Sequence, residues 1–578
     1  MDYKLELAAA LAPAAGLEAS EAAAMLETPP SADMGDFAFP CFKLAKTLRK
    51  APPQIAADLK EKVELPAFVS EVRAAGGYLN FFIDRKEYAS AVLSAVLGEG
   101  GRYGSSDLGA GKTICIDYSS INIAKPFHIG HLSTTVIGHA LYKIYQFLGY
   151  RCVGINHLGD WGTQFGKMIA AYKRWGDHDT IEQGGVRELL KIYTRFHTEA
   201  EVNKGLNDEA RAAFKSIEDG DPEAVKLFNW FRELTLKDVG RVYDLLNIQF
   251  DSYAGESFYN DKMQPVVDEL REKGLLEVDQ GASVVRFPEE EHLMPCLILR
   301  SDGATLYATR DLAAAIYRKK TYDFYKCLYV VAYQQNLHFK QVFRVLELMG
   351  YGWAKDLVHV AFGMVSTEEG TLSTREGRVV FLEDVFEEAI KRTKAIMLEK
   401  NPGLANMDEV AKEVGVGAVV FSALSSSRIK DIVFSWDRTL NFDGETGPYC
   451  QYTHARCCSV LRKAEAFAAA EPDYSVITDD EAQDVLMLIS HFPQVVRKAM
   501  EQSEPSMITR HTTQLAQAYN KYYFEHRIMD ESDPAGRGRR LNLERTVDSL
   551  RGRFGRGIIA PGSVVNNELM GYSQEEEE

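Results

Sequence analysis

One stretch of this chain, Ile121–Leu132, constrains the fold more than any other. Its sequence is INIAKPFHIGHL. The residues before it, Lys112–Tyr118, form an apolar, β-branched run that is typical of a buried strand. After it, apolar side chains recur at the spacing of one helix face, at Leu132, Val136, Ile137, Ala140, Leu141 and Ile144. The sequence therefore predicts a strand and a helix that are joined by a turn at Phe127–His131.

The predicted turn has the chemistry of a phosphate site. The first N–H groups of a helix are free and its dipole is positive there, which favours an anion, and Gly130 lets a ligand approach the backbone closely. His128 and His131 can each donate a hydrogen bond to a phosphate oxygen, and Lys125 adds a positive charge. We therefore expect this turn to hold a nucleoside triphosphate. The His-x-Gly-His tetrapeptide alone fits a helix-capping turn with two partly buried histidines equally well.

Length and composition limit the class of protein. A chain of 578 residues is too long for one core, so we expect three or more domains. The chain has no long uncharged apolar run, so no membrane span is expected, and its first residues lack the basic start and apolar core of a signal peptide. The eight cysteines include no C-x-x-C pair, which favours a reducing cytoplasm over disulfide or zinc use.

The charge balance limits the partners. A net charge of −17 argues against a general nucleic-acid binder. It leaves room for a structured RNA such as tRNA, because affinity for nucleic acid depends on local basic patches and not on the total charge.

Longer patterns carry a family resemblance. The segment Ser119–His131 resembles the first signature of class I aminoacyl-tRNA synthetases, in the form found in arginyl-tRNA synthetases. Asn156–Gly166 (NHLGDWGTQFG) and Leu440–Arg456 resemble the same family, as do GDFAFP and GYLNF near the N-terminus. The resemblance reaches about Ile528. From Met529 the chain is polar and Gly-rich, where the family has amphipathic helices.

The resemblance implies a multidomain α/β fold. Residues 111–400 are expected to form a Rossmann-like catalytic domain with a doubly wound parallel sheet and a helical insertion at about 170–290. Residues 1–110 would form a small α/β domain that contacts tRNA. Residues 401–578 would form an all-α helical bundle that binds the anticodon, with an atypical end from about 529.

The resemblance also implies the activity, which is ATP-dependent ligation of L-arginine to its tRNA through an arginyl-adenylate. Residues that match the family's arginine-binding positions are Asp117, Ser119, Asn122, Tyr307, Asp311 and Gln335. A guanidinium requires carboxylates in planar geometry, and Asp311 is the expected main partner. Asp117 stands where the family commonly has Glu. Taken singly, Asp311 could instead pair with Arg310 or Lys319, and Tyr307 could belong to the core.

The expected ATP site combines both halves of the sheet. By resemblance, the catalytic residues are Lys125, His128, His131 and Arg375, and the ATP-binding residues are Phe127, Gly130, His338, Ser373 and Thr374. The segment TLSTREG at 371–377 stands where class I enzymes carry a second signature, but it lacks that signature's second lysine. We expect Lys125 and Arg375 to neutralise the leaving pyrophosphate. Mg²⁺ is expected on the phosphates, with no metal ligands from the protein.

Four residues of the C-terminal region are candidates for tRNA contacts by stacking or hydrogen bonding to unpaired bases: Tyr449, Gln451, Tyr452 and Arg456. The tyrosines fit a bundle core equally well. The expected partners are tRNA and L-arginine, with no membrane, and the protein is expected to be a cytoplasmic monomer. Two other functions fit parts of the pattern, namely a tRNA-binding relative without catalysis and a different nucleotidyltransferase with His-x-Gly-His.

Overall fold

The computed structural model describes residues 3–27, 29, 34–367, 380–404, 406–464, 477–526 and 528. The chain divides into two compact units. Of the described residues, the first unit contains those within 3–104, 452–495 and 511–528, and the second contains those within 105–451 and 496–510. The atypical segment from 529 lies outside the described residues.

The N-terminal part of the first unit is an antiparallel sheet covered by helices. Its strands are β1 (Phe37–Pro40), β2 (Val69–Ala75) and β3 (Tyr78–Ile83), in the order β1-β3-β2. Its helices are α1 (Tyr3–Ala15), α2 (Ala19–Met25), α3 (Ala45–Leu48), α4 (Pro52–Lys62) and α5 (Arg85–Glu99). Alternation along β3 buries Leu79, Phe81 and Ile83 on one face, which supplies the core. This is the small α/β fold that the sequence predicts.

The strands of the second unit, in chain order, are β4 (Thr113–Asp117), β5 (Arg151–Ile155), β6 (Glu277–Asp279), β7 (Ala282–Val285), β8 (Cys296–Leu299), β9 (Lys326–Tyr329), β10 (Leu357–His359), β11 (Val365–Thr367) and β12 (Ile432–Phe434). Four of them form a parallel sheet in the order β10-β9-β4-β5. Cys115 and Cys327 are fully buried in its core. The carboxyl ends of the strands meet at one edge, where open α/β sheets bind ligands. The predicted fold class is confirmed.

The helices that follow are α6 (Leu132–Phe147), α7 (Thr163–Trp175), α8 (His178–Gly184), α9 (Val186–Val202), α10 (Gly205–Glu218), α11 (Pro222–Leu246), α12 (Met263–Glu272), α13 (Tyr307–Tyr322), α14 (Asn336–Leu348), α15 (Leu382–Lys400), α16 (Met407–Ser425) and α17 (Trp436–Thr439). The helix predicted after the phosphate turn is therefore α6. Three more helices complete the chain as described: α18 (Gly447–Ala464), α19 (Asp480–Glu501) and α20 (Ser506–Glu525).

The insertion differs from the expected all-helical segment. Helices α7–α11 account for its first part, but β6, β7 and β8 form an antiparallel sheet near its end. The turn between β6 and β7 consists of Gln280 and Gly281, both with positive φ (48° and 84°). A two-residue turn with positive φ at both positions matches the twist of a hairpin. The Gln-Gly pair was the sequence signal for this hairpin.

In the first unit, the N-terminal domain packs against a helix from near the other end of the described chain, α19. On α5, the Arg85 guanidinium lies 2.7 Å from the carboxylate of Asp480, and the Tyr88 hydroxyl lies 2.6 Å from that of Ser490. The Tyr103 hydroxyl donates to the carbonyl of Ile489 (3.2 Å). The N-terminal domain and the C-terminal helices are therefore one packed unit, which the sequence did not indicate. Of the helices in the described ranges, none has the length and apolar content to cross a membrane.

Candidate active site

The two histidines of the motif are fixed by their own backbone. Residues Ile129–His131 form a single 3-10 turn before α6. The Gly130 N–H donates to His128 Nδ1 (3.0 Å), and the His128 N–H donates to His131 Nδ1 (3.2 Å). Because each Nδ1 accepts a hydrogen bond, each neutral ring carries its proton on Nε2. The rings lie 4.1 Å apart, so the turn presents a pair of Nε2–H donors.

Both imidazoles are neutral at pH 7. Burial, reinforced by the charge of Lys125, lowers the pKa of His128 to about 4. Burial and the neighbouring His128 and Lys125 lower the pKa of His131 to about 3. The histidines therefore supply hydrogen bonds without charge, and the positive charge next to them is that of Lys125.

Two other residues of the turn support the rings. A Cβ at position 130 would lie 2.7 Å from Cε1 of His128, so glycine is needed here because the His128 ring folds over it. The Phe127 side chain is buried, and its ring lies 5.4 Å from the His131 ring. These residues were expected to border ATP, and in the structure both lie against the histidine pair.

The loop that carries Lys125 has an unusual backbone. Ser119, Ser120 and Ala124 have φ of 68°, 39° and 58°, the left-handed region that non-glycine residues rarely adopt. The Ala124 N–H donates to the hydroxyl of Thr235 on α11 (3.0 Å). Asn122 pairs with Gly159, and its side-chain oxygen lies where a Cβ on that glycine would be. The loop after β4 is thus held by the loop after β5 and by α11.

Ser119 does not face an open pocket. It is 2% exposed, and its hydroxyl lies 2.8 Å from the hydroxyls of both Thr135 and Tyr243. Its hydroxyl is therefore hydrogen-bonded inside the protein, and its expected contact with arginine stays a prediction.

The Asp117 carboxylate is also bound by other residues of the protein. It lies 2.7 Å from the guanidinium of Arg318 on α13 and accepts a hydrogen bond from Ser120 (2.6 Å). Asp117 and Arg318 are 5% and 1% exposed. This pair forms because β4 ends beside α13, where the short Asp117 side chain contacts Arg318. The expected contact of Asp117 with arginine stays a prediction.

Asp311 lies among histidines. One carboxylate oxygen lies 2.6 Å from Nε2 of His338 and the other 4.0 Å from Nε2 of His157. Burial alone would raise the pKa of Asp311, but the hydrogen bond from His338 and the nearby positive groups lower it, so this carboxyl is ionised at pH 7. His338 was expected to support the nucleotide, and here it supports Asp311.

The alternative partners of Asp311 are engaged elsewhere. Arg310 lies 3.6 Å from Glu256, and Lys319 lies 2.8 Å from Asp323. The alternative in which Asp311 is bound by either residue is therefore wrong.

Two further predicted residues are open to solvent. Tyr307 begins α13 and is 68% exposed, so it is not a core residue. Gln335 ends the 3-10 turn Tyr333–Gln335, which follows β9, and it is exposed. The loop after β9 adjoins the helix after the phosphate turn, since Thr134 on α6 donates to the carbonyl of Val330 (2.7 Å). Both halves of the predicted site therefore lie at the same edge of the sheet.

Sequence reasoning missed one buried carboxyl in this region. Burial raises the pKa of Glu256 to about 7. The charges of Arg310 and Lys125 lower this pKa, and those of Asp311 and Asp160 raise it. Lys125 and Asp311 thus act on the same carboxyl, which links the two halves of the site. Glu256 belongs to no motif named in the sequence analysis, and its burial becomes evident only in the folded structure.

The predicted tRNA contacts all lie on α18. In the first unit, the Arg456 guanidinium donates to Asn520 (3.1 Å) and lies over the rings of Tyr452 and Tyr523. In the second unit, Gln451 contacts the carbonyl of Glu413 (3.5 Å), and Tyr449 is half-buried. These side chains have partners within the protein, so their contacts with tRNA stay predictions. Ser373, Thr374 and Arg375 lie outside the described residues.

Comparison with known proteins gives consistent matches along the chain. Three family models match: the arginyl tRNA synthetase N terminal domain (residues 1–83), the class I (R) tRNA synthetase catalytic domain (92–436) and the DALR anticodon binding domain (450–550). The last match includes part of the segment from 529 that the sequence analysis set apart.

Full-length relatives agree with these matches. The chain is 57% identical over 516 residues to an arginine–tRNA ligase of Clostridioides difficile, covering 89% of this chain and 91% of that one. It is 55% identical over 518 residues to that of Alkaliphilus metalliredigens, covering 90% and 91%. Among solved structures, Thermus thermophilus arginyl-tRNA synthetase superposes with a TM-score of 0.77 at 25% identity, covering 93% of this chain and 96% of that one.

Proposed function

Because this chain belongs to the family of arginine–tRNA ligases, which attach arginine to tRNA with the use of ATP, we propose that both small substrates meet at the carboxyl edge of its parallel sheet. The phosphates of ATP bind at the His128–His131 turn, and the guanidinium of arginine binds beside Asp311. The observation that carries this assignment is the pairing of two neutral Nε2–H donors with an ionised carboxylate at one sheet edge.

The phosphate half stabilises charge. The arginine carboxylate attacks the α-phosphate of ATP, which forms arginyl-adenylate and releases pyrophosphate. His128 and His131 donate hydrogen bonds to the phosphates, and Lys125, with Arg375, neutralises the charge that builds on the leaving pyrophosphate. Ser373 and Thr374 belong to the same segment as Arg375 and are assigned to ATP with it.

Mg²⁺ is proposed to enter with ATP as part of the substrate. This ion takes oxygen ligands, and the turn offers imidazoles and an ammonium group, which do not fit it. The ion is therefore assigned to the phosphate oxygens alone.

The arginine half selects the substrate. Asp311 accepts a charge-assisted hydrogen bond from the guanidinium, and His338 holds the carboxylate in place. Asn122, Tyr307 and Gln335 supply polar groups around the rest of arginine. Asp117 and Ser119 are assigned a supporting role, because their polar atoms already bind Arg318, Thr135 and Tyr243. A pocket that requires these bonds rejects analogues that lack the guanidinium.

In the second step a hydroxyl of the 3′-terminal ribose of tRNA attacks the carbonyl carbon of the arginyl-adenylate, which forms the arginyl ester of tRNA and releases AMP. We assign tRNA contacts to the N-terminal domain and to Tyr449, Gln451, Tyr452 and Arg456 on α18. We propose that the protein acts as a monomer. A role in translation supports the cytoplasm as the place of action.

The test is aminoacylation of purified tRNA with arginine, lysine, citrulline and unrelated amino acids, together with arginine-dependent ATP–pyrophosphate exchange with and without tRNA. We expect charging by arginine alone, and charging by lysine or citrulline would contradict the pocket. Lys125→Ala should lower exchange ~10²-fold. The matched control is Lys173→Ala, which removes an exposed surface lysine and should leave exchange unchanged. Exchange at the wild-type rate in Lys125→Ala would contradict the role of Lys125.

A further inference from the structure

One face of α11 is directed at the loops of the active site. Arg232, Thr235, Val239 and Tyr243 recur at intervals of three and four residues, which places them along one side of the helix. Residues between them on α11 contact other parts of the protein. For example, the Asp238 carboxylate accepts a hydrogen bond from the N–H of Val186 (2.7 Å).

Thr235 contacts the backbone N–H of Ala124, the residue before Lys125. Its side chain is 0% exposed, and its hydroxyl donates to the Phe231 carbonyl (2.7 Å) and accepts from the Ala124 N–H (3.0 Å). Ala124 has φ of 58°, a backbone conformation that is unfavourable for a residue with a Cβ. Such a conformation persists only where the surroundings hold it. The Thr235 hydroxyl supplies a hydrogen bond that holds Ala124 in this conformation.

Tyr243 anchors the start of the same loop. Its hydroxyl lies 2.8 Å from the Ser119 hydroxyl and accepts from the Asn156 side-chain amide (2.8 Å). Tyr243 therefore joins the loop after β4 to the loop after β5, two helical turns along from Thr235.

The backbone at Ala124 determines where the Lys125 side chain begins. Ala124 directly precedes Lys125 in the loop, and its N–H is held by the buried Thr235 hydroxyl. A shift of the backbone at Ala124 would therefore move the first atoms of the lysine side chain.

We propose that Thr235 is a positioning residue for catalysis, whose buried hydroxyl holds the Ala124 peptide so that Lys125 is aligned with the phosphates of ATP. Tyr243 serves the same loop at its other end. This inference rests on the proposed role of Lys125 in adenylate formation.

The experiment compares variants of the full-length enzyme in ATP–pyrophosphate exchange. Thr235→Val removes the hydroxyl at nearly the same volume, and Thr235→Ser restores it. The control is Thr393→Val, since Thr393 on α15 is also fully buried and its hydroxyl has no hydrogen-bond partner among the described residues. We expect Thr235→Val to lower kcat about 10- to 100-fold while KM for arginine changes less than about twofold. Thr235→Ser should stay within about threefold of wild type, and Thr393→Val should match wild type.

A double-mutant cycle shows whether Thr235 acts through Lys125. In the Lys125→Ala background, Thr235→Val should cause no further loss of kcat. An equal loss in both backgrounds, or a wild-type kcat in Thr235→Val, would overturn the inference. If Lys125→Ala alone exchanges at the wild-type rate, the proposed role of Lys125 fails instead. If Thr235→Val does not fold, Tyr243→Phe in the same two backgrounds decides the question, because it keeps the ring and removes only the hydroxyl.

Discussion

The two halves of the proposed active site, the phosphate half at the His128–His131 turn and the arginine half at Asp311, are built in different ways. In the phosphate half, the hydrogen bonds that orient His128 and His131 span no more than three residues of chain. In the arginine half, Asp311, His338 and His157 come from α13, α14 and the loop after β5. The phosphate half is formed by hydrogen bonds within one short segment of backbone. The arginine half exists only once the sheet has formed. A short motif can therefore indicate the first half, whereas the second requires the fold.

The halves also differ in charge. Burial keeps both imidazoles neutral, with pKa values of about 4 and about 3, whereas hydrogen bonding keeps Asp311 ionised. Neutral donors next to Lys125 avoid repulsion between cations. An ionised acceptor in the arginine half distinguishes a guanidinium from a neutral analogue.

The largest effect is expected from a substitution that disrupts only the arginine half. Asp311→Asn keeps the shape and removes the charge, so kcat/KM for arginine should fall ~10³-fold, while KM for ATP stays within about twofold. Steady-state exchange at varied arginine and ATP measures both. The control is Asp323→Asn. Asp323 lies just past the C-terminal end of α13, where its carboxylate pairs with Lys319, and its side chain is 91% exposed. An equal loss of affinity for ATP would mean that the halves are not separable.

A smaller effect is expected when the phosphate half is broken. In His131→Asn the side-chain oxygen can still accept the His128 N–H, but the Nε2–H donor is lost. We expect kcat for exchange to fall ~10²-fold with little change in KM for arginine. The exposed His178 provides a control in His178→Asn, which should keep the wild-type rate. A rise in KM for arginine at unchanged kcat would place His131 in the wrong half.

The smallest effect concerns stability at acid pH. A histidine has a pKa near 6.5 when unfolded, so below that pH the unfolded chain binds protons that folded His131, with a pKa of about 3, does not. Stability is therefore lost as pH falls from about 6.5 toward 3. At pH 5 the cost from His131 is ~2 kcal/mol.

Denaturant unfolding at pH 7 and pH 5 measures this cost. The loss of unfolding free energy between the two pH values should be smaller in His131→Asn than in wild type by ~2 kcal/mol. An identical pH dependence in the two proteins would show that the imidazole is not buried in its neutral form.

The sequence predicts the local elements well and the distant contacts poorly. Strand β4 follows from its apolar, β-branched run and helix α6 from the spacing of its apolar residues, because both patterns reflect burial directly. The pairing of Asp117 with Arg318 does not, because it depends on how β4 and α13 lie side by side across 200 residues of chain. Thr235 and Tyr243 occupy ordinary positions of an amphipathic helix, and only the folded structure identifies the peptides that their hydroxyls bind.

The contact between α5 and α19 in the first unit has a consequence for synthesis. Tyr88 leaves the ribosome 402 residues before its partner Ser490. At typical elongation rates, this interval is roughly 20 to 80 s. During that time the outer side of α5 has no partner, while the parallel sheet between the two ends can already close. The nascent enzyme thus carries an uncovered surface on α5 through most of its translation, until α19 emerges and packs against it.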